Sequence, residues 1–171
     1  MDKVTIKNRH GLKLVIGVDA PKDPKGLVFI AHGQGGSMAQ VHIQAFGQAF
    51  FENDYRVVYF DATHSLGESE GDIIDVTYNN YVEDLEDVIN WARTQDWYQQ
   101  PFALCGQSMG AQSTAWYAEQ GTAGGGSPLY RFRTNNGSHI YTAYESEKAS
   151  ILANYPSFVL EGPAYYVKLA P

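Results

Sequence analysis

The residues best placed to do chemistry are Gly106-Gln107-Ser108-Met109-Gly110. The serine has a glycine two positions away on each side. It follows the apolar run Phe102 to Cys105 and precedes a helical pattern over Met109 to Glu119. That context describes a strained turn that lifts the hydroxyl above a sheet, with a helix N-terminus beneath it. A serine so placed attacks ester or amide carbonyls. The attack creates an oxyanion, and a second segment, His32-Gly33-Gln34-Gly35-Gly36, follows the apolar run Leu27 to Ala31 with backbone N–H groups able to receive it. The N–H groups of Gln34 and Met109 are the candidate donors, and Gly33, Gly35 and Gly36 let the chain approach a carbonyl closely. These glycines lack both the lysine of a phosphate-binding loop and dinucleotide-binding spacing.

A serine hydroxyl also needs a base within hydrogen-bonding reach. Five histidines are available. His32 reads as a brace for the Gly-rich loop, and His10 and His42 as surface residues. His64 lies in the loop Asp61 to Gly71, after the apolar run Tyr55 to Phe60, and His139 is the sole histidine after Ser108. Both stay open as general base. Asp61 is expected near the site, as a residue that fixes loops. Cys105 reads as buried packing, because a reactive thiol needs electropositive, accessible surroundings. A single cysteine excludes an internal disulfide and a cysteine zinc site, the scattered histidines offer no metal constellation, and no cofactor is expected.

The supporting elements follow from periodicity. Alternation over Val4 to Lys7 and Leu12 to Val18, broken at Asn8 to Gly11, predicts a β-hairpin. The three apolar runs predict strands buried on both faces. Helical patterns cover Gln40 to Glu52, Tyr78 to Thr94 and Met109 to Glu119. In the second, Tyr81, Val82, Leu85, Val88, Ile89 and Ala92 form the apolar face, and Glu83, Asp84, Glu86 and Asp87 are assigned to the solvated one. Strand and helix alternating predicts an α/β domain, a mostly parallel sheet with helices on both faces, over residues 1–119. A Gly-rich linker covers 120–128. Residues 129–171 read as a small aromatic-rich α+β module. Its strands are expected near Leu129 to Arg133, His139 to Ala143, Phe158 to Leu160 and Ala164 to Val167, with a turn at Asn135-Asn136-Gly137 and a helix over Glu145 to Ala153.

The net charge of -7 is concentrated in the first part, where 16 Asp/Glu oppose 8 Lys/Arg before residue 120. Such a surface repels a phosphate backbone, so nucleic acid is not an expected partner. No run reaches the length of a membrane span, and Met1 to Thr5 lacks a signal-peptide core, which predicts a cytoplasmic chain as written.

The loop Ser65-Leu66-Gly67-Glu68-Ser69-Glu70-Gly71 adds a third motif at a strand end. With the serine turn and the Gly-rich loop, residues 1–119 resemble the α/β-hydrolase superfamily, in particular its serine-aminopeptidase-like and small-esterase branches. The resemblance implies acyl transfer from a small ester or amide, with Ser108 as nucleophile, Gln34 and Met109 as oxyanion donors, and His32, Gly33, Asp61 and His64 in support. In that superfamily the acid and the histidine come after the serine on later strands. Here the sheet pattern stops at the serine helix, so the expectation is a truncated hydrolase sheet with an incomplete triad. It also leaves strand 102–105 as an edge, to be covered by a homodimer or by a tail strand such as Ala164 to Val167.

Residues 128–168 resemble a short bacterial repeat of unknown function, through Tyr130-Arg131-Phe132, His139-Ile140-Tyr141-Thr142, Glu145 to Glu147 and Glu161-Gly162-Pro163-Ala164-Tyr165-Tyr166-Val167. Ile140 and Pro163 depart from its pattern. That repeat occurs in exported and cell-surface proteins, which conflicts with a cytoplasmic location. Its aromatics read either as the core of a small module or as a platform for sugars. The alternative function is therefore a non-catalytic glycan- or cell-wall-binding protein.

Overall fold

Asn8 sets the hairpin that opens the chain: its side-chain oxygen accepts from the N–H groups of His10 and Leu12, both at 3.0 Å. Gly11 takes φ +80 in the same turn. The turn joins β1 (Asp2–Lys7) to β2 (Lys13–Asp19) in antiparallel register, Lys7 opposite Lys13 and Asp2 opposite Val18. This computed structural model describes residues 1–121, 127–135, 139–142 and 145–167. It divides into two units, Met1–Tyr117 and Ala118–Pro171.

In the first unit, β3 (Gly26–Ala31), β4 (Tyr55–Asp61) and β5 (Ala103–Gly106) complete a sheet of order β1-β2-β4-β3-β5. The sheet is mixed. β2 runs antiparallel to β4, whereas β3 is parallel to both β4 and β5. Alternation along the strands divides the core in two. Leu14, Ile16, Leu27, Phe29, Ala31, Val58 and Phe60 face α2 (Tyr78–Ala92), with Met109 and Tyr117 of α3 (Met109–Gly121) packed against the same cluster. Val15, Val28, Ile30, Val57 and Tyr59 face α1 (Val41–Phe51) through Ile43. Each fully buried aliphatic contributes about 1.5–3 kcal/mol.

Thr77 and Asn80 form a reciprocal capping box that starts α2. One residue assigned to its solvated face is on the other side: Asp84 is only 1 % exposed. Its position three residues after Tyr81 and four before Val88 puts it on the apolar stripe. Three hydrogen bonds make that tolerable. Its carboxylate accepts from Asn8 Nδ2 at 2.9 Å, and from Thr63 N–H and Thr63 Oγ1 at 2.6 and 2.7 Å. Burial pushes its carboxyl up, and the bonds from Asn8 and Thr63 oppose that shift. Asp84 thereby ties the hairpin turn and the loop after β4 to one helix.

In the second unit, β6 (Ser127–Arg133) is the centre of a three-stranded antiparallel sheet of order β7-β6-β8, with β7 at His139–Thr142 and β8 at Val159–Val167. The two strands expected over 158–160 and 164–167 are one strand, because register shifts between Leu129 and Tyr130 and between Arg131 and Phe132 absorb the break. β8 finds its partner in β6. Among the described residues β5 has β3 as its one sheet neighbour. Phe132 is buried. Helix α4 (Glu145–Asn154) is fastened by Glu145, which accepts from the Tyr130 hydroxyl, and by Lys148, whose ammonium lies 3.8 Å from the Tyr130 ring centroid. The linker expected at 120–128 is entered by α3 and left by β6, and its residues 122–126 lie outside the described residues, as does most of the expected turn at 135–137.

Asp84→Ala leaves the Asn8 amide and both Thr63 donors buried without an acceptor, which should cost about 2–4 kcal/mol. Denaturant unfolding followed by tryptophan fluorescence checks it, since Trp91, Trp97 and Trp116 all lie in the first unit.

Candidate active site

β5 ends at Gly106 and α3 starts at Met109, so the chain reverses from strand to helix over two residues. Ser108 makes the reversal at φ +54. A non-glycine residue there stores strain of order 1–3 kcal/mol, which the surroundings must hold. The two glycines are obligatory on steric grounds. A Cβ on Gly106 would lie 2.5 Å from the carbonyl carbon and oxygen of Gly110, and one on Gly110 would lie 2.3 and 2.4 Å from the carbonyl oxygens of Ala31 and His32. Gly110 N–H donates to Gln107 O at 3.0 Å and Gln112 N–H to Ser108 O at 3.1 Å, closing the first turn of α3. The Ser108 side chain is exposed. Met109 N–H has no acceptor among the described residues, as expected for a first-turn N–H.

The Gly-rich loop lies beside this turn. A Cβ on Gly33 would be 2.2 Å from Gln107 Oε1 and 3.1 Å from Ser108 Cβ. Three donors converge on the Gly33 carbonyl: His32 Nδ1 at 2.8 Å, the Tyr81 hydroxyl at 2.9 Å and Gly36 N–H at 3.0 Å. His32 also accepts at Nε2 from Ala62 N–H, at 3.0 Å. With Nε2 accepting, the proton sits on Nδ1, and the ring is neutral. Burial lowers its pKa, with the Gly33 carbonyl and the charges of Asp61 and Asp84 pulling the other way. Gln34 N–H makes no hydrogen bond within the described residues.

Asp61 spends both carboxylate oxygens on backbone, accepting from Met38 N–H and Glu68 N–H at 2.7 Å each. A Cβ on Gly67 would run into that carboxylate at 2.1 Å. Ser69 Oγ donates to the Asp61 carbonyl at 2.5 Å and accepts from Val15 N–H at 2.8 Å. Asp61 and Ser69 therefore hold the 65–71 loop over the strand ends. His64, at φ +59, is bonded through Nδ1 to the Asp72 carbonyl at 3.1 Å. Neither residue bonds to Ser108, whose hydroxyl has no partner among the described residues. The side chain of His139 lies outside the described residues. Burial pushes the Cys105 thiol up, away from the thiolate. No group of three or more metal-ligating side chains occurs among the described residues. Tyr81 and Asp84 were not singled out as site residues by the sequence, and the one available signal was their shared position on the buried stripe of α2.

Comparison with known proteins identifies the family and the fold. The family model of serine aminopeptidase, S33, matches residues 22–125, more than half of the chain. A second model, for a domain of unknown function, matches residues 94–168. No curated protein matches the chain. Among solved structures, an α/β serine hydrolase homologue from Coxiella burnetii superposes with a TM-score of 0.62 at 25% identity, over 71% of this chain and 58% of that one. Est1E from Butyrivibrio proteoclasticus, with ferulic acid bound, gives 0.65 at 24% identity, over 70% and 48%. An esterase from Pyrococcus furiosus gives 0.58 at 23%, over 67% and 42%. The chain spans about half the length of these structures. Among the described residues, no helix is long and apolar enough to cross a membrane.

Because the folded His32 has a pKa below the ordinary 6.5, the unfolded chain binds the extra proton. The His32 contribution to stability is thus complete above about pH 6.5 and is lost as pH falls through the depressed value. An NMR titration of the His32 ring should find the neutral Nδ1–H tautomer persisting at pH 6.5, where an exposed imidazole is half protonated.

Proposed function

The chain belongs to the serine aminopeptidase family, S33, of α/β-hydrolases, and on that premise we propose that Ser108 is an acyl-accepting nucleophile for a small ester or amide. The observation that carries the reading is the Ser108 turn itself. An exposed hydroxyl held at φ +54 between two sterically required glycines is a strained arrangement that packing alone does not need. Gln34 and Met109 supply the backbone N–H groups for the developing oxyanion, and the adjacency of Gly33 to Ser108 supports this pairing. His32 and Gly33 shape the donor loop, and Asp61 braces it through Met38.

The triad is incomplete in this reading. Both carboxylate oxygens of Asp61 are committed to backbone N–H groups, and neither Asp61 nor His64 hydrogen-bonds to Ser108, so this reading assigns neither as acid or base. Oxyanion stabilisation and binding without a full triad still leave about 10³ to 10⁴-fold acceleration over water. Acylation therefore outlasts turnover.

A second reading rests on the other unit. Tyr155 is 52 % exposed and its ring stacks on Phe158 with centroids 5.0 Å apart and planes inclined by 19°. A flat exposed ring fixed from behind suits a sugar face, which supports glycan or cell-wall binding. Tyr155→Ala should then abolish retention on insoluble cell-wall polysaccharide, measured by co-sedimentation.

For Ser108, a fluorophosphonate probe should label the full chain and not Ser108→Ala, and an unlabelled wild type defeats the reading. With no imidazole base, the labelling rate should keep rising with pH beyond 8. A plateau above about pH 7 reports a histidine base and overturns the incomplete triad.

A further inference from the structure

We infer that Tyr81 is a positioning residue for the oxyanion site: with His32 and Gly36 it pins the Gly33 carbonyl inward, and the planar peptide then turns Gln34 N–H outward beside Ser108. The inference rests on Gln34 being an oxyanion donor, and it adds what keeps that donor aimed.

The loop needs an external restraint. Gly33, Gly35 and Gly36 surround Gln34, and Gly35 already sits at φ +66. Glycines make rotation of the intervening peptides easy, so the sequence that lets the backbone approach a substrate also lets it turn away. A trans peptide is rigid, with its C=O and its N–H on opposite sides. Fixing the Gly33 oxygen therefore fixes the direction of Gln34 N–H, although no atom bonds that N–H directly. The carbonyl receives three donors at 2.8, 2.9 and 3.0 Å. Gly36 N–H belongs to the loop and moves with it, and His32, at the loop's start, is itself held at Nε2 by Ala62 N–H. Tyr81 comes from α2, 48 residues away in sequence. It is fully buried, and its ring meets His32 edge-on with centroids 5.6 Å apart and planes at 79°.

The phenol remains a donor throughout any assay, because burial, with Asp84 and Asp61 nearby, drives its ionisation far above the ordinary value of 10.0. The rotation that Tyr81 opposes would cost the carbonyl all three donors at once. A preorganised N–H costs the reaction no reorganisation, whereas one that wanders is absent for part of the time.

The test compares two variants of the full chain. Tyr81→Phe removes only the hydroxyl, and Ile43→Val removes a methyl group from the core on the opposite face of the sheet, at a similar cost in stability. Loss of a whole oxyanion donor slows such enzymes about 10²–10³-fold, so loosening one should slow fluorophosphonate labelling of Ser108 about tenfold. The loss should fall in the limiting rate and not in the half-saturating probe concentration, with Ile43→Val close to wild type. Equal slowing in both variants, or none in Tyr81→Phe, overturns the inference. A second arm needs no reactivity: in ¹⁵N NMR spectra, Tyr81→Phe should broaden or shift the Gln34 amide and its loop neighbours, and Ile43→Val should leave them in place. If wild type is never labelled, the proposed acyl transfer fails while this arm still decides the anchoring. An unchanged Gln34 amide in Tyr81→Phe defeats it.

Discussion

The close approach of α3 to the end of β3 constrains everything around the serine. Gly110 sits so near the Ala31 and His32 carbonyls that one extra carbon would stand 2.3–2.4 Å from their oxygens. That contact requires β5 to pair beside β3 in the register Ala31 opposite Gly106, and Gln107 N–H extends it by donating to Ala31 O at 3.0 Å. Only with the helix pressed there can Ser108 be held at positive φ. The strain of the turn is thus offset by strand pairing and by the two hydrophobic clusters, against which Met109 and Cys105 pack on either side of the turn.

The buried polar residues act mostly on backbone. Asp61 takes N–H groups from two loops, Asp84 takes a turn amide and a loop threonine, and His32 and Tyr81 share one carbonyl. Such bonds are expensive to leave half made, so they fix loops that have little apolar surface of their own. This explains why Asp61, whose carboxylate has triad-like chemistry, does not bond to the serine. Both of its carboxylate oxygens are engaged in shaping the rim.

The second unit holds together by other means. Its sheet is short and bulged, and its helix has no buried residue among those described, so the Tyr130, Glu145 and Lys148 cluster carries much of the attachment of α4. Among its described residues Phe132 is the buried hydrophobic side chain.

By itself the sequence determined the order and type of the main first-unit strands and helices, because the apolar runs and the 3.6-residue stripe of α2 report periodicity directly, and the turn residues Asn8 to Gly11 agree with them. It also determined that Ser108 and the His32 to Gly36 loop follow strands, but β5, expected to be buried on both faces, is a half-buried edge strand among the described residues, because the sheet continues on its β3 side alone. It did not determine that Asp84 is buried, since an acid on an apolar stripe is admissible only when distant donors, here Asn8 and Thr63, arrive to satisfy it. Nor could it join 158–160 to 164–167 as one strand, because a bulge depends on the partner's register. Tertiary structure alone decided which groups meet at the Gly33 carbonyl and which stay away from Ser108. Hydrogen bonds between residues 48 positions apart have no local signature, and they exist only once the sheet and α2 have set the distance.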